Sequence, residues 1–161
     1  RTFYLYFSSK EEITLATDDR RIARLVARLE QEAAAELPST ERLRQMLVGR
    51  VLFLFDEVQK RAATFDEIVE STRTAYMPRR IGYLRAESTV FVKVLAQGQE
   101  SGELQVDDPE RMALTLLLAT NALMPYSLSA QQRTDRDWVE GETTRIVELL
   151  LRGLQHPRER E

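Results

Sequence analysis

Arg1-Thr2-Phe3-Tyr4-Leu5-Tyr6-Phe7-Ser8-Ser9-Lys10-Glu11-Glu12 opens the chain, and how it is read decides the fold class. By propensity alone residues 2–7 read as a strand. A lone strand has no partner, however, and everything after it is helical in pattern, so a helical turn is the expectation. On a helix Phe3 and Phe7 share one face at i, i+4. Leu5 then points the other way, with Thr2, Tyr4 and Tyr6 on the flanks. Ser9-Lys10-Glu11-Glu12 is a capping box, a Ser N-cap with Glu three residues later. It opens a long helix carrying Ile13, Ala16, Ile22, Leu25, Val26 and Leu29. A start at Arg1 without methionine reads as a cut or an unobserved beginning.

Working outward, Pro38-Ser39-Thr40 stops that region and starts the next helix, whose stripe is Leu43, Leu47, Val51, Leu54 and Val58. Residues 51–55, Val-Leu-Phe-Leu-Phe, are apolar all round and should be buried on several sides. A shorter helix is expected over 66–75, and Pro78 suits the first turn of another that runs to about Ala96. Gly98 and Gly102 are expected to end it. Asp107-Asp108-Pro109-Glu110 is a restart signal: an Asp cap, Pro at the first position, Glu in the first turn. The next helix, 112–124, is almost wholly apolar. Pro125 lacks an N–H and clashes with the carbonyl of Asn121, so this helix should kink or stop there. Residues 131–137 read as polar linker, and a last helix carries apolar residues from Trp138 to Leu154. The expectation is an all-α chain of about seven helical segments with short connections.

Composition excludes whole classes of chemistry. The 161 residues hold no cysteine, which removes disulfides, thiolate metal sites and cysteine nucleophiles. A single histidine, His156, rules out a two-histidine metal site within one chain. It precedes Pro157 in a charged tail and has no shielded pocket for general-base work. The six glycines never form a phosphate loop. Asp18-Asp19 and Asp107-Asp108 read more simply as a solvated face and a helix cap than as paired catalytic acids. No enzyme activity and no cofactor are expected. Net charge is −3, so no global basic field exists. No apolar run approaches the roughly 20 residues of a membrane span, and a cytoplasmic protein is expected.

The opening block resembles the end of the helix-turn-helix in TetR-type transcriptional regulators. In that family a Thr-aromatic-Tyr-x-x-Phe block ends the recognition helix, and a Ser-Lys-Glu-Glu cap starts the fourth helix. Gly98-Gln99-Glu100-Ser101-Gly102-Glu103-Leu104, followed by Asp-Pro-Glu, resembles the junction before the family's eighth helix. Glu148-Leu149-Leu150-Leu151-Arg152-Gly153-Leu154 resembles its final helix. Arg1 departs from the glycine that many members carry, and the first two helices and the start of the third would precede it. The resemblance implies a dimeric, ligand-responsive DNA-binding regulator. Residues 1–30 would be the remainder of the helix-turn-helix domain, and 31–161 an antiparallel helical domain for effector binding and dimerisation.

Several residues then acquire candidate roles. Arg1, Thr2, Tyr4, Leu5, Tyr6 and Lys10 would face DNA. Leu5 can touch a thymine methyl, and Tyr4, Tyr6 and Lys10 can reach phosphates, which set register without reading sequence. Read without the resemblance, the same aromatics are a terminal core cluster.

In the family the ligand cavity lies among the fifth to eighth helices. Here those helices offer Phe53, Phe65, Tyr83, Glu87, Phe91, Leu117, Asn121 and Met124. Glu87 shares a face with Tyr83, Val90 and Val94. It is either a buried acid that would favour a neutral or cationic lipophile, or an exposed surface acid. Asn121 is either a ligand contact or a structural hydrogen bonder.

The dimer would form through the last two helices, at Leu114, Leu118, Ala122, Thr143, Ile146, Val147, Leu150, Leu151 and Leu154, because they carry more apolar surface than one core needs. The expected function is a regulator, in the repressor sense, released from double-stranded operator DNA by a small lipophilic effector, with no membrane partner. The other reading is a helical ligand-binding or interaction module without a DNA role. A basic three-helix segment upstream of Arg1 would favour the first, an unrelated one the second.

Overall fold

Among the described residues five α-helices follow one another: α1 Lys10–Ala33, α2 Ser39–Gln59, α3 Phe65–Glu100, α4 Pro109–Thr120 and α5 Arg136–Leu154. The computed structural model describes residues 10–60 and 65–155, with side chains at 16–60 and 78–155. The chain is all-α, as expected. α3 packs against α1, α2 and α4, while α5 lies against α2 and α4. No helix among the described residues is long and apolar enough to cross a membrane.

One core cluster draws on all five helices. It holds Ile22, Leu25 and Leu29 of α1, Leu43, Met46 and Leu47 of α2, Val90, Phe91, Val94 and Leu95 of α3, Ala113, Leu116 and Leu117 of α4, and Val147, Leu151 and Leu154 of α5. A second cluster gathers Val51, Phe55, Leu123, Met124, Leu128 and Val139. The two reach neighbouring turns of α2, which accounts for the all-round apolar character of 51–55. The expected boundary after residue 30 falls inside α1, whose core residues join those of the later helices.

Three expectations are corrected. Residues 66–75 and 78–96 are one helix, not two, with Pro78 inside it. Proline there removes the hydrogen bond to the Thr74 carbonyl. Burial of Val90, Phe91, Val94 and Leu95 holds the same helix in the core beyond it. Gly98 does not end α3 but lies within it. A Cβ at Gly98 would stand 2.4 Å from Leu104 Cδ1 and 3.0 Å from Ser39 Cβ, so the glycine permits a close approach. Gly102, at φ +74°, makes the left-handed turn that follows the helix. The 131–137 linker is partly helical: Gln132–Thr134 is a 3-10 turn, and α5 begins at Arg136, where Asp135 accepts from the Trp138 N–H at 2.9 Å.

The break before Pro125 is where the sequence places it. α4 starts at Pro109, with Asp108 accepting from the Arg111 N–H at 3.0 Å, and ends at Thr120. Two 3-10 turns follow, Asn121–Leu123 and Pro125–Ser127.

The start of α2 is capped from a distance. Pro38 has no side-chain oxygen, and the Ser39 and Thr40 N–H groups instead donate to the two carboxylate oxygens of Glu103, both at 2.7 Å. The 103–105 segment is in turn tied to α5 by the Gln105 N–H, which donates to the Leu154 carbonyl at 2.7 Å. Burial would raise the Glu103 carboxyl, but the hydrogen bonds from Thr40 and Ser39 outweigh it and hold the group below its ordinary 4.5. A depressed carboxyl stabilises the fold above 4.5, and that contribution disappears as pH falls through the lowered value. Glu103→Ala should therefore cost about 1 kcal/mol in urea unfolding at pH 7. The gap between wild type and variant should shrink on the acid side; a gap independent of pH would contradict a charged cap.

Candidate functional site

At the centre of the helix array is an arginine that spacing alone did not single out. Leu43, Met46, Leu47, Arg50 and Val51 occupy i, i+3, i+4, i+7 and i+8 on α2, the spacing of a core-facing stripe. Arg50 thus fills a core slot, and only 2% of it is exposed. On α3 the same thing happens with opposite charge. Glu87 shares its face with Val90 and Val94 and is 3% exposed. The two meet: Arg50 Nε donates to Glu87 Oε2. The surface reading of Glu87 is thereby set aside.

α4 and the turn after it complete the arrangement. Arg50 Nη1 donates to Thr120 Oγ1 at 3.1 Å and approaches the Leu117 carbonyl at 3.5 Å. Arg50 Nη2 donates to Asn121 Oδ1 at 3.1 Å. The Asn121 carbonyl accepts from Ser127 Oγ at 3.0 Å, which links the two 3-10 turns. A buried ion pair offsets its desolvation only when its other polar atoms are also bonded. Here every arginine nitrogen has a partner. One buried atom does not: Asn121 Nδ2 makes no hydrogen bond within the protein.

Tyr126 lies close enough to feel the charges of both Arg50 and Glu87. Its hydroxyl accepts from Arg80 Nη2 at 3.0 Å, and the Arg80 guanidinium sits 4.9 Å from its ring centroid. Burial raises its phenol above the ordinary value, against the opposing pull of Arg80 and Arg50.

Most of the proposed ligand residues with described side chains meet in or beside the first cluster, and Met124 lies apart. Phe91 and Leu117 are fully buried in the first cluster, with Phe53 partly buried beside them. Met124 belongs to the second cluster. Glu87 and Asn121 are brought together by Arg50. Tyr83 is half-buried, packs against the same first cluster and turns its hydroxyl to α1. Its hydroxyl donates to Asp19 Oδ1 at 2.5 Å, and Arg79 holds the other oxygen of Asp19 at 2.9 Å. Burial, and then the Asp19 carboxylate, push the Tyr83 phenol above its ordinary value. Phe65 is the first residue of α3, but its side chain lies outside the described residues.

Two further sets are resolved differently. Arg1, Thr2, Tyr4, Leu5 and Tyr6 lie outside the described residues, as does the Lys10 side chain, although Lys10 itself opens α1. Of the expected interface, Thr143, Val147, Leu151 and Leu154 are corrected: their own chain buries them, so they offer nothing to a second one. Leu150 and Ile146 are partly buried against the two clusters. Leu114 and Leu118 remain exposed at 43% and 51%, Ala122 is exposed, and Leu149, outside the expected set, is 73% exposed. Helical spacing assigned α5 the wrong face, because its most apolar stripe is the one that packs inward.

Compared with family models, curated proteins and solved structures, the chain matches none.

Proposed function

We propose that the chain is the ligand-responsive part of a TetR-like DNA-binding transcriptional regulator that works as a homodimer. The observation that carries this reading is the position of α1. It begins immediately after the Thr-Phe-Tyr-Leu-Tyr-Phe block and docks on α3 through Tyr83 and Arg79 at Asp19. It also docks on α2, because Glu57 accepts from both Arg24 and Lys60. The Lys60 hydrogen bond, opposed by burial and helped by Arg24, holds the Glu57 carboxyl below its ordinary value. A movement of α2 or α3 would therefore be passed to α1. A change at the Arg50 network, which joins α2, α3 and the end of α4, would reach the DNA-reading end by this route. Half-sites one helical turn apart demand a spacing of about 34–36 Å between recognition helices, so a small shift costs affinity. A small lipophilic effector would supply that shift by binding one arrangement better than the other.

The dimer is assigned to the exposed leucines of α4 and α5. Leu118 and Leu149 are exposed on the folded chain, so Leu118→Glu and Leu149→Glu should both fold as wild type does. Light scattering should show a wild-type dimer and a monomer for at least Leu118→Glu. A monomeric wild type, or dimers in both variants, would remove this face from the account.

DNA binding tests the reading itself. Residues 1–161 alone should bind DNA weakly, since the two helices that brace the reading helix in this reading are not among them. The full protein encoded by the gene that carries residues 1–161 should bind a specific site. In that protein Lys10→Ala should weaken binding to all sequences and lower the salt slope by about one phosphate contact. An unchanged slope would free Lys10 from the DNA.

A further inference from the structure

The buried network is complete but for one atom, and that atom specifies a ligand chemistry. Asn121 is 8% exposed, and its Oδ1 is committed to Arg50, which leaves Nδ2 as the uncommitted, buried member of the amide. Nδ2 is a donor with no acceptor in the protein. A buried donor left unmade costs stability, and an incoming acceptor recovers that cost. We infer that the Asn121 amide, set beside the Arg50–Glu87 pair, is the binding subsite for a neutral lipophile carrying a hydrogen-bond acceptor, such as a ketone, ester or amide carbonyl. This rests on the ligand-responsive reading above and narrows it.

Charge decides against the alternatives. Arg50 and Glu87 are paired and offer no net charge at Asn121, while the Arg80 guanidinium stays at the surface on Tyr126. A ligand ammonium or carboxylate would add an uncompensated charge to a buried place. The cation preference expected of a lone Glu87 carboxylate is thereby withdrawn.

Asn121 stands at the junction of α4 with two short 3-10 turns, which have poorer hydrogen-bond geometry than α-helix. Tyr126 on the second turn is 40% exposed and held to α3 through Arg80. A ligand that moved this turn would disturb α3 at Arg80, one residue from Arg79, which grips α1 through Asp19.

The test uses small probes on the 161-residue chain. Cyclohexanone carries the acceptor, methylenecyclohexane has the same shape without it, and cyclohexylamine and cyclohexanecarboxylate carry the two charges. The Asn121 side-chain amide is followed by ¹⁵N–¹H correlation spectra. Cyclohexanone should shift it saturably and bind at least tenfold tighter than each of the other three. Asn121→Asp keeps the acceptor for Arg50 and loses the donor, so it should lose at least tenfold in cyclohexanone affinity. If that variant does not fold, the four-probe comparison on wild type decides alone. Equal binding of cyclohexanone and methylenecyclohexane, no saturable shift, or an Nδ2 that stays bonded to an internal water in saturating cyclohexanone would overturn the assignment. DNA binding is measured without probes, so a failure here leaves the regulator reading standing on its own test.

Discussion

Arg50→Met should destabilise the chain by about 3–5 kcal/mol, because it leaves the Glu87 carboxylate buried with no countercharge. Glu87 is 3% exposed, and Arg50 is its ion-pair partner. The loss should show as a lower urea midpoint at pH 7. Arg50→Met combined with Glu87→Leu should recover part of it, since an apolar pair removes both charge desolvation costs while Asn121 Oδ1 still lacks its donor. This non-additivity distinguishes a true ion pair from two residues that each merely pack. A single variant within about 0.5 kcal/mol of wild type would mean that water reaches Glu87.

Phe91→Ala is the second large effect. Phe91 is fully buried on α3 in the cluster that joins all five helices. Truncation removes an aromatic ring and leaves a cavity, at a cost of about 3–5 kcal/mol. Leu149→Ala, at an exposed position on α5, should change monomer stability by no more than about 0.5 kcal/mol. The contrast, read from the same unfolding experiment, tests which face of the helix array is core. Comparable losses in the two variants would contradict the assignment of faces.

Much of this architecture was legible because it rests on local signals. Asp108-Pro109-Glu110 starts α4 through a cap and a proline whose physical effects act within one turn. Pro125 ends the same helix through its clash four residues back. The buried stripe of α2 was visible as period. What failed was tertiary in origin. Pro78 looked like a beginning because its cost is local, whereas the packing that carries α3 onward is not. The α2 cap was unreadable, since Glu103 lies more than sixty positions from Ser39. α5 was misassigned because periodicity shows that a helix has an apolar face without showing what covers it.

The site was half legible. Glu87 and Asn121 were singled out because each is polar on an apolar helix. Arg50 satisfies the same criterion on α2, at the i+7 position of the Leu43 stripe, and that signal could have found it. Its role could not have been paired from sequence, since Glu87 and Asn121 come to it from different helices. The separation of Met124 into the second cluster likewise depends on the turns after α4, whose path one-dimensional spacing does not describe.

The central claim is that this helical array moves a DNA-reading end. The most direct measurement is a selection from random double-stranded DNA by the full protein encoded by the gene that carries residues 1–161. The account predicts enrichment of an inverted repeat with half-site centres about 10 base pairs apart, bound about a thousandfold or more tighter than random DNA. Recovery of no common sequence, with affinity equal for selected and random DNA, would contradict it.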